Sequence, residues 1–287
     1  MWLTLPLAAA LLAPAQPPAG GGLVLGNVRS THGPFGGPRP AGPMLPGDML
    51  FLAFDIGGVP VNPEGKATYT MAMSVKDAAG KEWFGEKPFT KTDDVPLGGT
   101  ALPGIAYTFI GFEQPAGKYN LTLTVTDEKK RSSTFTHPFE VGGKALGIVS
   151  VGTSLDERGQ VPVPNGGFVG QTLTCHFNVV GFGRDDADRR KDAPKPMAGQ
   201  PAPPKRGMQP NVTAEMVVTE DGKPVVGKPA IVAVEGGLKE EEPVFNLRYA
   251  VFLSRPGKFV VTMTVTDRIA NKTATYKLPL TAVPPPG

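Results

Sequence analysis

Side chains able to do chemistry are few and scattered. His32, His137 and His176 are the only histidines, and no spacing among them would converge imidazoles on a metal ion. The single cysteine, Cys175, excludes an intramolecular disulfide, a cysteine-based zinc site and an iron–sulfur cluster. Ser154, within Val151-Gly152-Thr153-Ser154-Leu155-Asp156, has no identifiable base. Neither a Gly-x-Ser-x-Gly elbow nor a glycine-rich phosphate loop occurs. Asp127 and Asp267 end matching segments and invite a calcium reading, but no Asp-x-Asp-Gly cluster accompanies them, which favours Asx-type turns. Asp185, Asp186 and Asp188 are interleaved with arginines that would repel a cation, and Glu240-Glu241-Glu242 reads as solvated charge. The expectation is a non-enzyme with no catalytic, metal-binding or cofactor-binding residues. The best candidate for holding a ligand is Trp83-Phe84, since exposed aromatic faces hold sugars and peptides. Neighbours on a strand point to opposite sides, so one of the two is expected in the core.

The elements that must position these residues are strands. Gly and Pro make up 69 of the 287 residues, a density that punctures long helices and argues against a helical bundle or a doubly wound α/β fold. With 40% hydrophobic residues the chain can still build a core. Tyr119, Leu121, Leu123 and Val125 alternate with Asn120, Thr122, Thr124 and Thr126, the period of a half-buried strand. Leu173, Cys175, Phe177 and Val179 alternate with Thr174, His176 and Asn178, which sends Cys175 inward as a small apolar residue and His176 outward. Turn signals fall between such runs at Asp77-Ala78-Ala79-Gly80, Pro115-Ala116-Gly117, Asp221-Gly222 and Arg255-Pro256-Gly257.

The sequence also repeats itself. Pro115–Asp127 matches Pro256–Asp267, both running Gly-Lys-aromatic into alternating Thr and ending Thr-Asp. Gly47–Ile56 matches Gly170–Val179, Gly80–Gly85 matches Gly222–Gly227, and Leu25-Gly26-Asn27-Val28 pairs with Leu146-Gly147-Ile148-Val149. Four blocks in the same order indicate an internal duplication. The expected fold is all-β, two tandem antiparallel immunoglobulin-like β-sandwiches at 23–142 and 145–283, with Leu50, Leu52, Phe54 and Ile56 in the core positions of Leu173, Cys175, Phe177 and Val179. The run at 117–127, Gly-Lys-Tyr-x-Leu-x-Leu-x-Val-x-Asp, resembles the penultimate strand of bacterial immunoglobulin-like and polycystic-kidney-disease-type domains. That resemblance implies a scaffold for adhesion, spacing or binding, and a tyrosine corner at Tyr119 that Phe259 cannot form.

The remaining segments are read from composition. Residues 1–15 read as a signal peptide with an Ala13-Pro14-Ala15 site, too short to span a bilayer, followed by a flexible segment at 16–22. The Gly-Pro-rich stretch around 30–46 is expected to be poorly structured, and 284–287 to be a Pro-rich tail. Residues 183–210 form an insertion in the second copy, with seven basic against four acidic residues, and are expected to be a disordered loop. A net charge of +3 gives no general nucleic-acid surface. These features imply an exported protein, secreted, periplasmic or at the cell surface. Its structural or adhesive role would engage a protein or polysaccharide of the cell envelope, with no nucleic acid and no membrane span. The alternative is a carbohydrate- or peptide-binding module using the aromatics of the first domain.

Overall fold

The strand at Gly117–Asp127 (β6) shows how the alternation becomes structure. Tyr119, Leu121, Leu123 and Val125 are buried, while the threonines between them face outward and hydrogen-bond across to the next strand: Thr122 to Thr136 at 3.2 Å and Thr124 to Thr134 at 2.9 Å. The computed structural model describes residues 22–99, 101–190 and 206–285. The expected signal peptide at 1–15, most of the segment at 16–22, the middle of the insertion (191–205) and the last two residues lie outside them.

The first sandwich comprises β1 (Val24–Thr31), β2 (Met49–Gly57), β3 (Lys66–Asp77), β4 (Glu82–Asp94), β5 (Ala101–Phe109), β6 and β7 (Ser132–Val141). Its sheets have the orders β1-β2-β5 and β4-β3-β6-β7. The second comprises β8 (Gly147–Ser154), β9 (Pro162–Val163), β10 (Gly166–Phe168), β11 (Thr172–Val180), the pair β12 (Asp185–Asp186) and β13 (Met208–Gln209), β14 (Val212–Glu220), β15 (Lys223–Pro224), β16 (Ala230–Val234), β17 (Val244–Phe252), β18 (Gly257–Asp267) and β19 (Lys272–Val283). Its orders, β17-β11-β8-β9 and β10-β19-β18-β14 with β15 and β16 on the outer edge of β14, repeat those of the first. Each sandwich encloses its own apolar cluster.

The register of the repeat can be read from the ladders. Leu52 stands opposite Ala106 as Cys175 stands opposite Tyr249, and Leu50, Leu52, Phe54 and Ile56 are buried just as Leu173, Cys175, Phe177 and Val179 are. Tyr69 opposite Asp127 corresponds to Val212 opposite Asp267. Pro138 and Pro279 are also equivalent, the first on the edge strand β7 and the second on the stretch of β19 that β10 does not cover, where a missing N–H removes no bond to an outer strand.

The opening strands require a correction. Leu25 pairs with Ile56 and Ile148 with Val179, so Leu25 matches Ile148, two residues beyond the Leu146 expected from sequence. A shift of two keeps every side chain on its own face, so alternation could not detect it. The true match aligns a bulge in both ladders, whose residues Asn27 and Ser150 both have positive φ, 52° and 50°.

Two segments read as unstructured also prove to be built. Residues 32–48 and 155–171 are equivalent straps of equal length, each joining two neighbouring strands of one sheet and touching the edge strand of the other on the way. The first touches β1 at Thr31–Pro38 and β7 at Met44–Val141. Proline density there reflects edge positions where no donor is needed. The insertion is likewise structured at its described ends. β12 pairs with β13, and Arg190, its side chain 6% exposed, reaches Asp185, Glu235 O, Gln209 O and Pro210 O. Basic side chains of the expected disordered loop therefore act in part as a clamp for the segment.

Candidate functional site

The β3–β4 turn fixes the aromatic pair. Asp77 accepts the backbone amides of Ala79 and Lys81 and the Trp83 indole N–H at 2.9 Å, and these bonds hold its carboxyl below its usual range. Trp83 stands edge-on to Tyr119, and the Lys81 ammonium sits 4.1 Å from the centre of its ring. One face of Trp83 is thus covered by a cation and its edge is held by the core. Phe84 is exposed and shares a cleft of about 440 Å³ with Trp83, Phe109, Phe112 and Gln114, at the seam between the edge strands β4 and β5. Phe109 and Phe112 meet edge to face at 5.5 Å. The structure therefore brings both sequence-selected aromatics to one cleft and adds two that sequence reasoning missed. The signal for Phe109 was the alternation Tyr107, Phe109 on the outer face of β5; Phe112 lies in the loop beyond it.

The Tyr119 hydroxyl donates to Pro115 O at 2.8 Å, which is the tyrosine corner; Phe259 leaves the second sandwich without one. Tyr119 itself stacks on Phe139.

The other candidates are committed to structure. Cys175 is fully buried, and burial pushes its thiol up to about 12. Asp127 accepts the Arg131 amide and pairs with its guanidinium; these bonds outweigh the opposing effect of burial and lower its pKa. Asp267 accepts the amides of Ile269, Ala270 and Gly183. Both make the turns expected of them. His176 was expected to be a solvated strand residue, and Ser154 to have no base. Instead His176 Nε2 lies 2.6 Å from Ser154 Oγ. The serine also donates to Asp156 O at 2.5 Å. A hydroxyl has one proton and a carbonyl can only accept, so Nε2 must donate to Oγ. An imidazole in that state cannot take the serine's proton, and the pair acts as a brace.

Polar chemistry is densest where the sandwiches meet. Asp48, 1% exposed, pairs with Arg39 and accepts the amides of Met49 and, across the joint, Ser150, each at 2.8 Å. The positive-φ bulge at Ser150 is what turns that amide toward the carboxylate. Tyr276 of the second sandwich lies 3.2 Å from His32 Nδ1 in the first. Burial, helped by the Arg39 cation and opposed by Asp48, lowers the His32 pKa to about 4. Burial likewise raises the Tyr276 hydroxyl to about 12. Leu45 wedges against Gly147, where a Cβ would come within 2.0 Å of its Cδ1. Lys144 in the linker pairs with Glu113 at 2.7 Å.

No protein-family model and no characterised protein matches the sequence. Among solved structures, the chain is similar to the C-terminal domain of the Streptococcus pyogenes antigen I/II-family protein AspA, at 10% identity and a TM-score of 0.29, over 90% of this chain and 99% of that one. It is similar to the C-terminal domain of the Streptococcus agalactiae AgI/II polypeptide BspA at 12% identity and 0.28, over 90% and 99%. It is also similar to trypsin-activated alpha-2-macroglobulin from Escherichia coli at 12% and 0.28, over 91% of this chain and 16% of that one. At these scores the likeness carries no argument about function, and the architecture rests on the topology described above. Among the described residues, no helix is long and apolar enough to cross a membrane.

Proposed function

We propose that this is an exported, non-catalytic protein of structural or adhesive role at the cell surface or in the envelope. The observation that carries the reading is the joint: a buried ion pair, a cross-domain hydrogen bond from Ser150 and the Leu45 wedge hold two repeated modules in one arrangement. Such a coupling suits a spacer that presents a surface at a set position. Export rests on the apolar segment at 1–15. Mass spectrometry of the protein from its native envelope tests the reading. A mature N-terminus near Gln16 and specific co-purification with envelope components are expected; an intact Met1 in the cytosol overturns it.

The aromatic cleft favours a second reading, a carbohydrate- or peptide-binding module. Because Lys81 covers Trp83 and Trp83 packs against the core, the discriminating substitution is Phe84→Ala, at a side chain 39% exposed and outside the core cluster. Glycan-array or peptide-array binding lost in Phe84→Ala, with an unchanged melting temperature, supports this reading. Binding that is absent in the parent protein, or that survives the substitution, removes it.

A further inference from the structure

The two straps close equivalent seams to different extents. In the second sandwich the strap forms ladder pairs with both edges: Thr153–Val163 and Ser154–Pro162 on one side, and Gly166–Thr281 through Phe168–Val283 on the other. The Thr281 amide donates to Asn165 O, and Thr153 Oγ1 reaches Val163 O and Pro164 O. In the first sandwich each side keeps a single bridge. Glu140, the equivalent of Thr281, has an amide that faces the strap and finds no carbonyl there.

What remains is a cleft of about 1010 Å³ between β1 and β7, floored by Tyr119 and Phe139 and roofed by the strap prolines. Its lining carries an imidazole where the second sandwich has an aliphatic side chain. His137 occupies the place of buried Leu278 and meets Ser30, the counterpart of Thr153, at 3.2 Å across the seam. Among the described residues, two cations stand at its edge without a carboxylate partner: the Arg29 side chain donates to Asn27 O, and Lys118, opposite Glu140 in the ladder, makes no ion pair.

We propose that this seam binds an extended acidic segment of polypeptide. The protein's own second strap, 162–168, shows what fills such a seam: main chain in extended conformation, gripped by an edge amide and a hydroxyl. In the first sandwich the Glu140 amide and Ser30 are placed to do the same for a segment from outside, and Arg29 and Lys118 select one bearing carboxylates. The site is separate from the aromatic cleft on the opposite seam, so its fate does not decide the second reading above.

The test is fluorescence anisotropy of a labelled decapeptide alternating Glu and Ala, with the full chain at about 20 mM salt and again at about 300 mM. Saturable binding is expected, weakened about tenfold in the Arg29→Gln/Lys118→Gln double variant and steeply by salt, with no binding of the matching Lys-Ala peptide. Both side chains are exposed, so an unchanged melting temperature should show the variant folded. Absence of saturable binding, or equal affinity in the double variant, overturns the proposal. So does a preference for polygalacturonate with the same dependence on Arg29 and Lys118, which would assign the seam to acidic polysaccharide instead.

Discussion

The first sandwich makes a tyrosine corner and leaves its β1–β7 seam open; the second lacks the corner and ladders its strap onto both edges. Their cores nevertheless match position by position along β2 and β11. The difference teaches where duplication tolerates change. An inward residue touches many neighbours and any change in volume is felt, whereas edge strands and straps can exchange one set of hydrogen bonds for another. The second strap needs no tyrosine corner to hold its end of the sandwich, since β9 and β10 already tie the edges together.

Breaking the joint is the most direct way to ask whether the modules are coupled. Asp48→Ala strands Arg39 and removes the acceptor of the Ser150 amide, and should cost about 3–5 kcal/mol in urea unfolding, as loss of one partner of a buried pair does. The side chain of the equivalent residue in the second copy, Gln171, accepts the Phe168 amide of its own strap, and Gln171→Ala should cost far less. Equal effects would show that the joint contributes no coupling.

Acid should act on the same place. His32 titrates at about 4 in the folded protein against 6.5 when exposed, so the unfolded chain binds more protons between those values. Stability is complete above pH 6.5 and is lost as pH falls toward 4, by about 3 kcal/mol from this residue. His32→Phe can keep the ring contact with Tyr276 while removing the titration, and its pH–stability curve should be flatter than the parent's across that window. Identical curves would exclude His32 as the acid-sensitive group.

Two smaller effects sharpen the comparison of the cores. Cys175→Ser should destabilise by about 1–3 kcal/mol because its hydroxyl enters an apolar layer, and the native thiol should label slowly until denaturant is added. Rapid native labelling would reverse the faces of β11. Tyr119→Phe should cost about 1 kcal/mol by deleting the bond to Pro115 O. Its counterpart Phe259→Tyr should recover nothing unless the Arg255-Pro256 turn offers a carbonyl in reach. Chemical denaturation of the two variants side by side measures both.

Sequence reasoning succeeded where a side chain's direction is dictated by period. The placement of Cys175, the core of β6 and the duplicated blocks all follow from alternation. It failed where two registers bury the same faces, as at Leu25 and Ile148, and where Gly and Pro have two meanings. Around 30–46 they mark a strap built on edge positions, not a lack of structure. Arg190 was misread for a related reason: its carbonyl partners are main-chain atoms, which composition cannot reveal. The cleft was half visible, because Trp83-Phe84 stands out as an aromatic pair whereas Phe109 at the end of β5 and Phe112 in the loop after it are brought near only by the fold.

The bulge that receives Asp48 has a consequence for symmetry. Its counterpart in the first sandwich, Asn27, carries the same left-handed backbone, and its side chain bonds to Asp55 at 2.5 Å. The contact between the modules is therefore heterologous: a strap of one copy meets a bulge of the next, and the two surfaces differ. Heterologous contacts do not close on themselves as a twofold interface does; repeated with the same rotation and translation, they generate a helical array unless the rotation happens to complete a ring. The geometry already present between two copies is thus a rule for adding a third.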